Sequence, residues 1–402
     1  MTRDQRQKQS LNAWAVQGYR GCLQAVTGFG KTRVAIMAIK GLLKKDLISN
    51  CIITVPTITL KEQWEAELKT FKIPNVEVYV NNTAATKASE LNTDLLICDE
   101  VHTVPTDTRG IILDIPHKYF LGLSATIKRS DGRHEEILDT YPVFDVVTFE
   151  ECLENGWISP YTVYNVPVDL SEEDLKLYAK ADRSFRYAAS QIGGYGPDTL
   201  KLAQAWIKSP DKKEQGLAAM YYNALRKRKD ICINNQNKVE IVEKIVSLFS
   251  DRYGIIFSQS VDFADSIRES IGETAVTFHS KLTKKTQKEI LNDFTEKQSG
   301  IKTISTVQAL DAGFDFPELS LAVVAAGYSS KLTNIQRIGR TVRAQEDKEA
   351  IIVNLYSRGT QEERWLQNRQ KGTNPIYLNS IHDLISIYEV PSRVQTSSRI
   401  ES

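Results

Sequence analysis

No run of about 18 apolar residues occurs anywhere in the chain, and that excludes a membrane-spanning helix. The opening MTRDQRQKQS lacks the apolar core of a signal peptide. Cysteine is sparse: Cys22, Cys51, Cys98, Cys152 and Cys232 are odd in number and form no C-x-x-C pair. Neither a zinc site nor a disulfide framework follows from that spacing, and a reducing compartment, the cytoplasm, is expected. An excess of charge of one sign is missing too, the net charge being only +1. Domains that bind polyanions are often far more basic, so any such binding rests on local clusters. Lys128-Arg129, Arg226-Lys227-Arg228-Lys229 and the arginines of 337–343 are the candidates. The 226–229 run fits a solvated helix face as well as it fits a phosphate contact. No aromatic-basic stripe suggests a base-stacking platform, and Phe263, Tyr328 and Trp365 read as packing residues. What remains is an ordinary globular composition, 41% hydrophobic and 25% charged over 402 residues, long enough for two or three domains.

Two phosphate-chemistry signatures stand out against that background. Residues 21–26, GCLQAV, read as a short buried strand, and apolar residues fall at helical spacing from Lys31 onward. Between them lies Thr27-Gly28-Phe29-Gly30-Lys31-Thr32. A glycine-bearing loop between strand and helix is the setting that a phosphate loop requires. Gly28 and Gly30 let backbone N–H groups turn toward phosphate oxygens, and the helix start adds a positive dipole end. Lys31 would reach the β- and γ-phosphates of ATP, and the Thr32 hydroxyl would ligate Mg²⁺. The strict pattern has glycine where Ala25 stands, the least disruptive replacement being a small residue. Residues 52–55 read as a second buried strand, stopped by Pro56. The segment from Thr57 to Gln63-Trp64 then opens a helix whose hydroxyls suit either a backbone phosphate or a plain helix cap. Residues 94–98 are an apolar strand that delivers Asp99 and Glu100 at its carboxyl end, where parallel sheets place ligands. Asp99 would hold the metal, and Glu100 would orient and deprotonate an attacking water. Residues 119–122 form a further strand, followed by Ser124-Ala125-Thr126, whose hydroxyls could couple the acid pair to a second lobe.

The text turns loop-like over residues 143–165, around Gly156 and Pro160. Residues 171–248 read as mostly helical, broken at Gly193-Gly194-Tyr195-Gly196-Pro197. A second series then alternates strands, near 254–258, 276–278, 301–306, 321–324 and 350–355, with helices at 261–271, 283–295 and 333–339. Such alternation argues a parallel sheet. This lobe has no phosphate loop of its own. Arg340 and Arg343 are three apart on a helix start and so face one way. Such a pair suits charge developing on a γ-phosphate; alone it would read as two surface arginines.

In this order the motifs resemble superfamily 2 helicases from about Gln9 to Arg343, and most of all the DNA-directed group containing the phage UvsW and XPB-like helicases. Pro56-Thr57 with Gln63-Trp64 resembles that group's second motif. Ser124 to Gly132 resembles its SATP-x-R-x-DG extension, with Ile127 in place of Pro. Glu151 to Pro160 resembles its passage into the linker. The resemblance implies two RecA-like α/β parallel-sheet lobes in tandem with a helical segment between them. The expected divisions are 1–148 for the first lobe and 149–250 for the linker and helices. The second lobe then takes 251–385 and a polar tail 386–402. It implies further that Gln9 reads adenine, and that Thr27, Gly28, Phe29, Gly30, Lys31 and Thr32 hold ATP and Mg²⁺. Asp99 and Glu100 become the catalytic acids, and His102, Ser124 and Thr126 the coupling residues. Gly313, Asp315, Gln336, Arg340 and Arg343 resemble the nucleotide-sensing motifs. Thr57, Thr83, Ser258 and Thr306 would line a strand's phosphates. Arg129 and Asp131 resemble part of a duplex-touching Arg-Glu-Asp element, in which Ser130 replaces the Glu.

The implied activity is an ATP-dependent helicase or translocase of 3′-to-5′ polarity. Its partners would be single-stranded, forked or branched DNA, with accessory recombination or replication proteins and no membrane. Only about 20 residues precede the phosphate loop, so no N-terminal substrate-recognition domain is expected. Three alternatives stay open: an RNA helicase, the duplex translocase of a restriction-type complex, and an ATP-gated binding module without turnover. The first is disfavoured by Gln63-Trp64 and by Arg129 with Asp131. The last is disfavoured by retention of Lys31, Asp99, Glu100, Arg340 and Arg343.

Overall fold

A computed structural model describes residues 1–129, 131–158, 160–297, 300–307, 319–327, 349–370 and 374–389. The chain divides into two compact units, Met1–Tyr161 and a second that begins at Thr162.

The first unit opens with α1 (Arg3–Val16), where Thr2 and Gln5 form a capping box. There follow β1 (Arg20–Ala25), α2 (Lys31–Lys44), β2 (Cys51–Val55), α3 (Ile58–Thr70), β3 (Val76–Val80), α4 (Asn81–Thr86) and β4 (Thr93–Asp99). The unit closes with β5 (His117–Ser124), α5 (Glu135–Leu138), β6 (Val143–Val147) and α6 (Phe149–Glu154). Six strands lie in the order β3-β2-β4-β5-β1-β6, and all five pairings are parallel. The central strands are continuous apolar runs because both faces of the sheet are covered: β2 is buried at every position, and β4 and β5 nearly so. The registers pair Gln24 with Ser124 and Leu123 with Asp99. The chain therefore leaves β1, β5 and β4 side by side at one carboxyl edge, which is where the phosphate loop, Ser124 and Asp99 stand.

The second unit builds a seven-stranded sheet in the order β13-β7-β12-β11-β8-β10-β9. Its strands are β7 (Tyr161–Val168), β8 (Gly254–Ser258), β9 (Ala275–Phe278), β10 (Thr303–Val307), β11 (Leu321–Val324), β12 (Ala350–Ser357) and β13 (Ile376–Tyr377). Before β8 come the helices α7 (Glu172–Ile192), α8 (Pro197–Trp206), α9 (Lys212–Ile233) and α10 (Asn237–Leu248). Between later strands lie α11 (Val261–Ile271) and α12 (Lys284–Glu296). The pairings of β8, β9, β10, β11 and β12 are parallel, as is that of β13 with β7.

The linker expectation differs from the structure here. Residues 161–168 are a strand of the second sheet, and the helical region belongs to the second unit rather than standing between two lobes. The reason lies in β7 itself, whose YTVYNVPV sequence buries its last six residues, Pro167 included. The expected break at 193–197 is present, Gly193, Gly194 and Gly196 all having positive φ. Within 226–229, Arg226 and Lys227 are exposed, whereas Arg228 is buried beneath α7. Its Nε lies 2.9 Å from Asp182, and its guanidinium sits over the Phe185 ring. Among the described residues no helix is long and apolar enough to cross a membrane.

Candidate active site

The phosphate loop is held open by two glycines and closed from below by packing. Gly28 and Gly30 have φ of 93° and 92°. A Cβ on Gly28 would fall 2.9 Å from Ile158 Cγ2, and one on Gly30 2.6 Å from Gln7 Nε2. Both positions thus need glycine for conformation and for space. Phe29 is fully buried and meets the Trp157 ring at 6.0 Å, so its side chain anchors the loop and only its backbone can face a ligand. Gly30 is the N-cap of α2, and Lys31 and Thr32 are its first two residues, at the end where backbone N–H groups and the helix dipole favour anions. Lys31 Nζ donates to Ala25 O at 3.1 Å. Ala25 is the last residue of β1 and is absent from the positive-φ positions, which is why the missing glycine costs nothing there.

The glutamine that meets the phosphate loop is Gln7, not the expected Gln9. Gln9 is exposed on α1. Gln7, 4% exposed, donates from Nε2 to Phe29 O at 2.7 Å. The buried face of α1 carries Arg6, Gln7, Ser10 and Trp14, and Gln7 stands two helical turns before Trp14, whereas Gln9 points to the opposite side. The large apolar Trp14 was the signal that identified the inward face. Arg6 fixes the helix: its guanidinium contacts Asp145 at 2.6 Å and Glu151 at 2.5 Å.

Across the edge, Asp99 is 7% exposed. Its Oδ2 accepts from Trp64 Nε1 at 2.9 Å and its Oδ1 from the Glu100 backbone N–H at 3.0 Å. Burial, then the adjacent Glu100, push the Asp99 carboxyl well above the usual aspartate range, against the indole hydrogen bond. Glu100 itself has left-handed backbone, φ 49° and ψ 52°, a strained conformation for a residue with a side chain. Its Oε2 is buried without a hydrogen-bond partner and lies 3.4 Å from His102 Nδ1.

His102 sits in the short 3-10 turn Val101–Thr103. Burial, then Arg129 and Lys31, lower its pKa to about 4, so the ring is neutral at pH 7. Its Nδ1 is 2.9 Å from Ser124 Oγ, which itself donates to Thr126 O at 2.8 Å and accepts from Thr126 N. That network assigns the proton to Nδ1, donating to Ser124. The three expected coupling residues are therefore joined. Arg129 adds a tie to the same turn, donating to His102 O at 2.6 Å and pairing with Asp131 through two hydrogen bonds.

Two family descriptions match this chain: "Type III restriction enzyme, res subunit" over residues 1–90 and "Helicase conserved C-terminal domain" over residues 237–345. A DNA 3′-5′ translocase XPB2 from Sulfurisphaera tokodaii is 28% identical over 91% of this chain and 84% of its own length. A DNA 3′-5′ helicase XPB from Mycobacterium tuberculosis is 22% identical, over 92% of this chain and 63% of its own. Together these matches support an XPB-like helicase of superfamily 2. The helicase domain of Pyrococcus furiosus Hef aligns with this helicase at a TM-score of 0.58 and 16% identity, covering 89% of this chain and 97% of that one. That likeness carries the two-sheet fold alone. The chain's two domain matches and these relatives support an ATP-hydrolysing enzyme.

The residues expected along a nucleic-acid strand are scattered in kind. Thr57 caps α3, its Oγ1 accepting from Leu60 N at 3.3 Å; Thr83 is exposed on α4. Ser258 and Thr306, expected to face phosphates, are fully buried on paired strands, and Ser258 Oγ donates to Thr306 O at 3.1 Å. Their hydroxyls do not face solvent: Ser258 ends β8, which is buried throughout, and Thr306 is among the four buried residues that precede the partly buried end of β10. Arg129 and Asp131 remain partly exposed but are engaged with one another. Ser130, Gly313, Asp315, Gln336, Arg340 and Arg343 lie outside the described residues. Motif reading missed Gln7 and Arg6, and it quoted Trp64 and Trp157 within their motifs without the contacts by which they hold Asp99 and Phe29.

Proposed function

We propose that this helicase uses ATP to move 3′-to-5′ along DNA and to remodel forked or branched DNA during recombination, repair or replication. The phosphate loop of residues 27–32 would take the triphosphate, with Lys31 Nζ moving from Ala25 O to phosphate oxygens. The site's chemistry fits Mg²⁺: a hydroxyl on Thr32 and a buried carboxylate on Asp99, at one sheet edge with two glycines where a Cβ would clash. Mg²⁺ held there would offset charge on the phosphate oxygens. Glu100 would receive the proton of the attacking water on its carboxylate, and its unpartnered Oε2 is the group that supports this role. Neutral His102, bonded to Ser124, would carry the state of the acid turn to the Ser124–Thr126 segment. Gly313, Asp315, Gln336, Arg340 and Arg343 enter by their motifs, the two arginines toward the γ-phosphate. Thr57, Thr83, Arg129 and Asp131 are the DNA-side candidates.

The observation that carries the reading is His102, which bonds to Ser124 and stands 3.4 Å from Glu100 Oε2, at the edge that also bears the phosphate loop. The names of the XPB relatives support DNA as the track and 3′-to-5′ as the direction. Five free, buried cysteines fit work in a reducing cytoplasm. The branched substrate is tested by strand exchange from a synthetic four-way junction against unwinding of a linear duplex, with ATP and Mg²⁺. Faster turnover of the junction is expected. Equal or slower action on the junction removes the branch-remodelling part of the proposal.

A further inference from the structure

A bond between Trp64 and Asp99 joins two motifs that the sequence keeps 35 residues apart. Trp64 stands on α3, is 2% exposed, and donates from Nε1 to Asp99 Oδ2 at 2.9 Å. With the Glu100 N–H on Oδ1 at 3.0 Å, each carboxylate oxygen carries one donor. The carboxylate plane is thereby fixed from two sides, by the chain leaving β4 and by a helix that packs on β2 and β3. A buried indole N–H requires an acceptor, and a packing role alone would be met by any carbonyl. Here the acceptor is Asp99, the more deeply buried of the two acids at the sheet edge. Bulk also matters: Trp64 is among the largest fully buried side chains of the molecule, so the donor has little freedom to swing away.

We propose that Trp64 is a positioning residue that orients the Asp99 carboxylate for Mg²⁺ and so sets the metal affinity of the nucleotide site. The proposal rests on the assignment of Asp99 to Mg²⁺ above. Carboxylates that bind metals are themselves hydrogen-bonded, and removing such a partner costs about 10–100-fold in metal affinity or activity.

The test is fluorescent ADP binding to the full chain, first with EDTA and then along a Mg²⁺ titration, for the wild type, Trp64→Phe, Trp64→His and Asp99→Asn. In Trp64→Phe the metal-free ADP affinity stays within about twofold, because the phosphate loop is untouched, while the Mg²⁺ requirement rises by about 10–100-fold. Trp64→His, which keeps a ring N–H, recovers part of the difference. Trp64→Phe added to Asp99→Asn changes nothing further. A wild-type Mg²⁺ titration in Trp64→Phe overturns the proposal. So does a parallel loss of metal-free and Mg²⁺-dependent binding, the mark of a packing defect. A second measurement needs no Trp64 variant: in ¹⁵N-indole-labelled wild type, one indole N–H resonance moves with Mg²⁺ and ADP but not with ADP and EDTA, and is displaced in Asp99→Asn. Absence of such a resonance also overturns the proposal. A wild-type Mg²⁺ titration in Asp99→Asn would instead remove the metal assignment itself, a result distinguishable from the others.

Discussion

Both units build a sheet with parallel pairings, yet they bury polar groups to different ends. At the carboxyl edge of the first sheet the buried polar groups are incompletely satisfied and strained: Glu100 is left-handed with an unpartnered Oε2, and Asp99 is a buried acid beside another acid. In the second unit the buried charges are closed on one another. Lys238 and Glu362, both fully buried, pair at 2.8 Å. Lys238 also donates to Cys232 O, and Glu362 accepts from the Ser357 N–H. Nearby, Asn165, Gln370 and Asn354 exchange hydrogen bonds across β7 and β12. The first arrangement leaves bonding capacity for a ligand. The second spends its capacity on joining α9, α10 and the helix Gln361–Arg369 to the sheet. Buried polarity by itself therefore does not mark a site, nor does a lone unpartnered atom, since Thr306 Oγ1 and Asn354 Oδ1 in the second unit lack hydrogen-bond partners too; an unpartnered carboxylate beside a second buried acid, at the strand edge that bears the phosphate loop, does.

Four changes sharpen or break that contrast. Glu100→Gln should lower ATP hydrolysis by about 10²–10⁴-fold, the usual worth of a general base, with an unchanged thermal melt; hydrolysis at the wild-type rate would remove Glu100 from the chemistry. Lys238→Met should cost about 3–5 kcal/mol in urea unfolding by stranding the Glu362 charge. Lys238→Met with Glu362→Leu should recover most of it, and ADP binding at the first unit should be intact in the double variant. Gln7→Ala should weaken nucleotide binding about tenfold, or about 1.4 kcal/mol, whereas Gln9→Ala should leave a binding isotherm unchanged. The smallest effect concerns acid. Burial raises the Asp145 carboxyl, but hydrogen bonds from Arg6 and Ser10 outweigh it, and the folded value falls below the ordinary 3.8. A depressed folded value means stability that is present above 3.8 and is lost as pH falls through the folded value. Urea midpoints measured from about pH 5 downward should therefore fall more steeply for the wild type than for Asp145→Asn.

Much of the fold was legible because its signals are local. The helix expected at 261–271 is Val261–Ile271, and the strands near 254–258 and 321–324 are Gly254–Ser258 and Leu321–Val324. Apolar runs bounded by turn residues specify such elements without tertiary help. The phosphate loop and the acid pair were legible for the same reason, since strand, loop and carboxylate are contiguous in sequence. What could not be read depends on faces and partners. Gln7 rather than Gln9 reaches the loop because α1 turns about 100° per residue and Trp14 sets its inner side. Trp64 meets Asp99 only because α3 packs over neighbouring strands, a fact no local pattern contains. Pro167 reads as a turn in isolation, yet its strand is buried by the second sheet. Thr57, whose hydroxyl fitted two roles in the sequence, serves as a helix cap.

The most direct test of the central claim is steady-state ATP hydrolysis with Mg²⁺, measured without nucleic acid and with single-stranded DNA, duplex DNA, a four-way junction and single-stranded RNA. Hydrolysis stimulated strongly by DNA, most by the junction, and abolished in Lys31→Ala is the expected result. Stimulation by RNA alone, or hydrolysis that survives Lys31→Ala, would contradict the account.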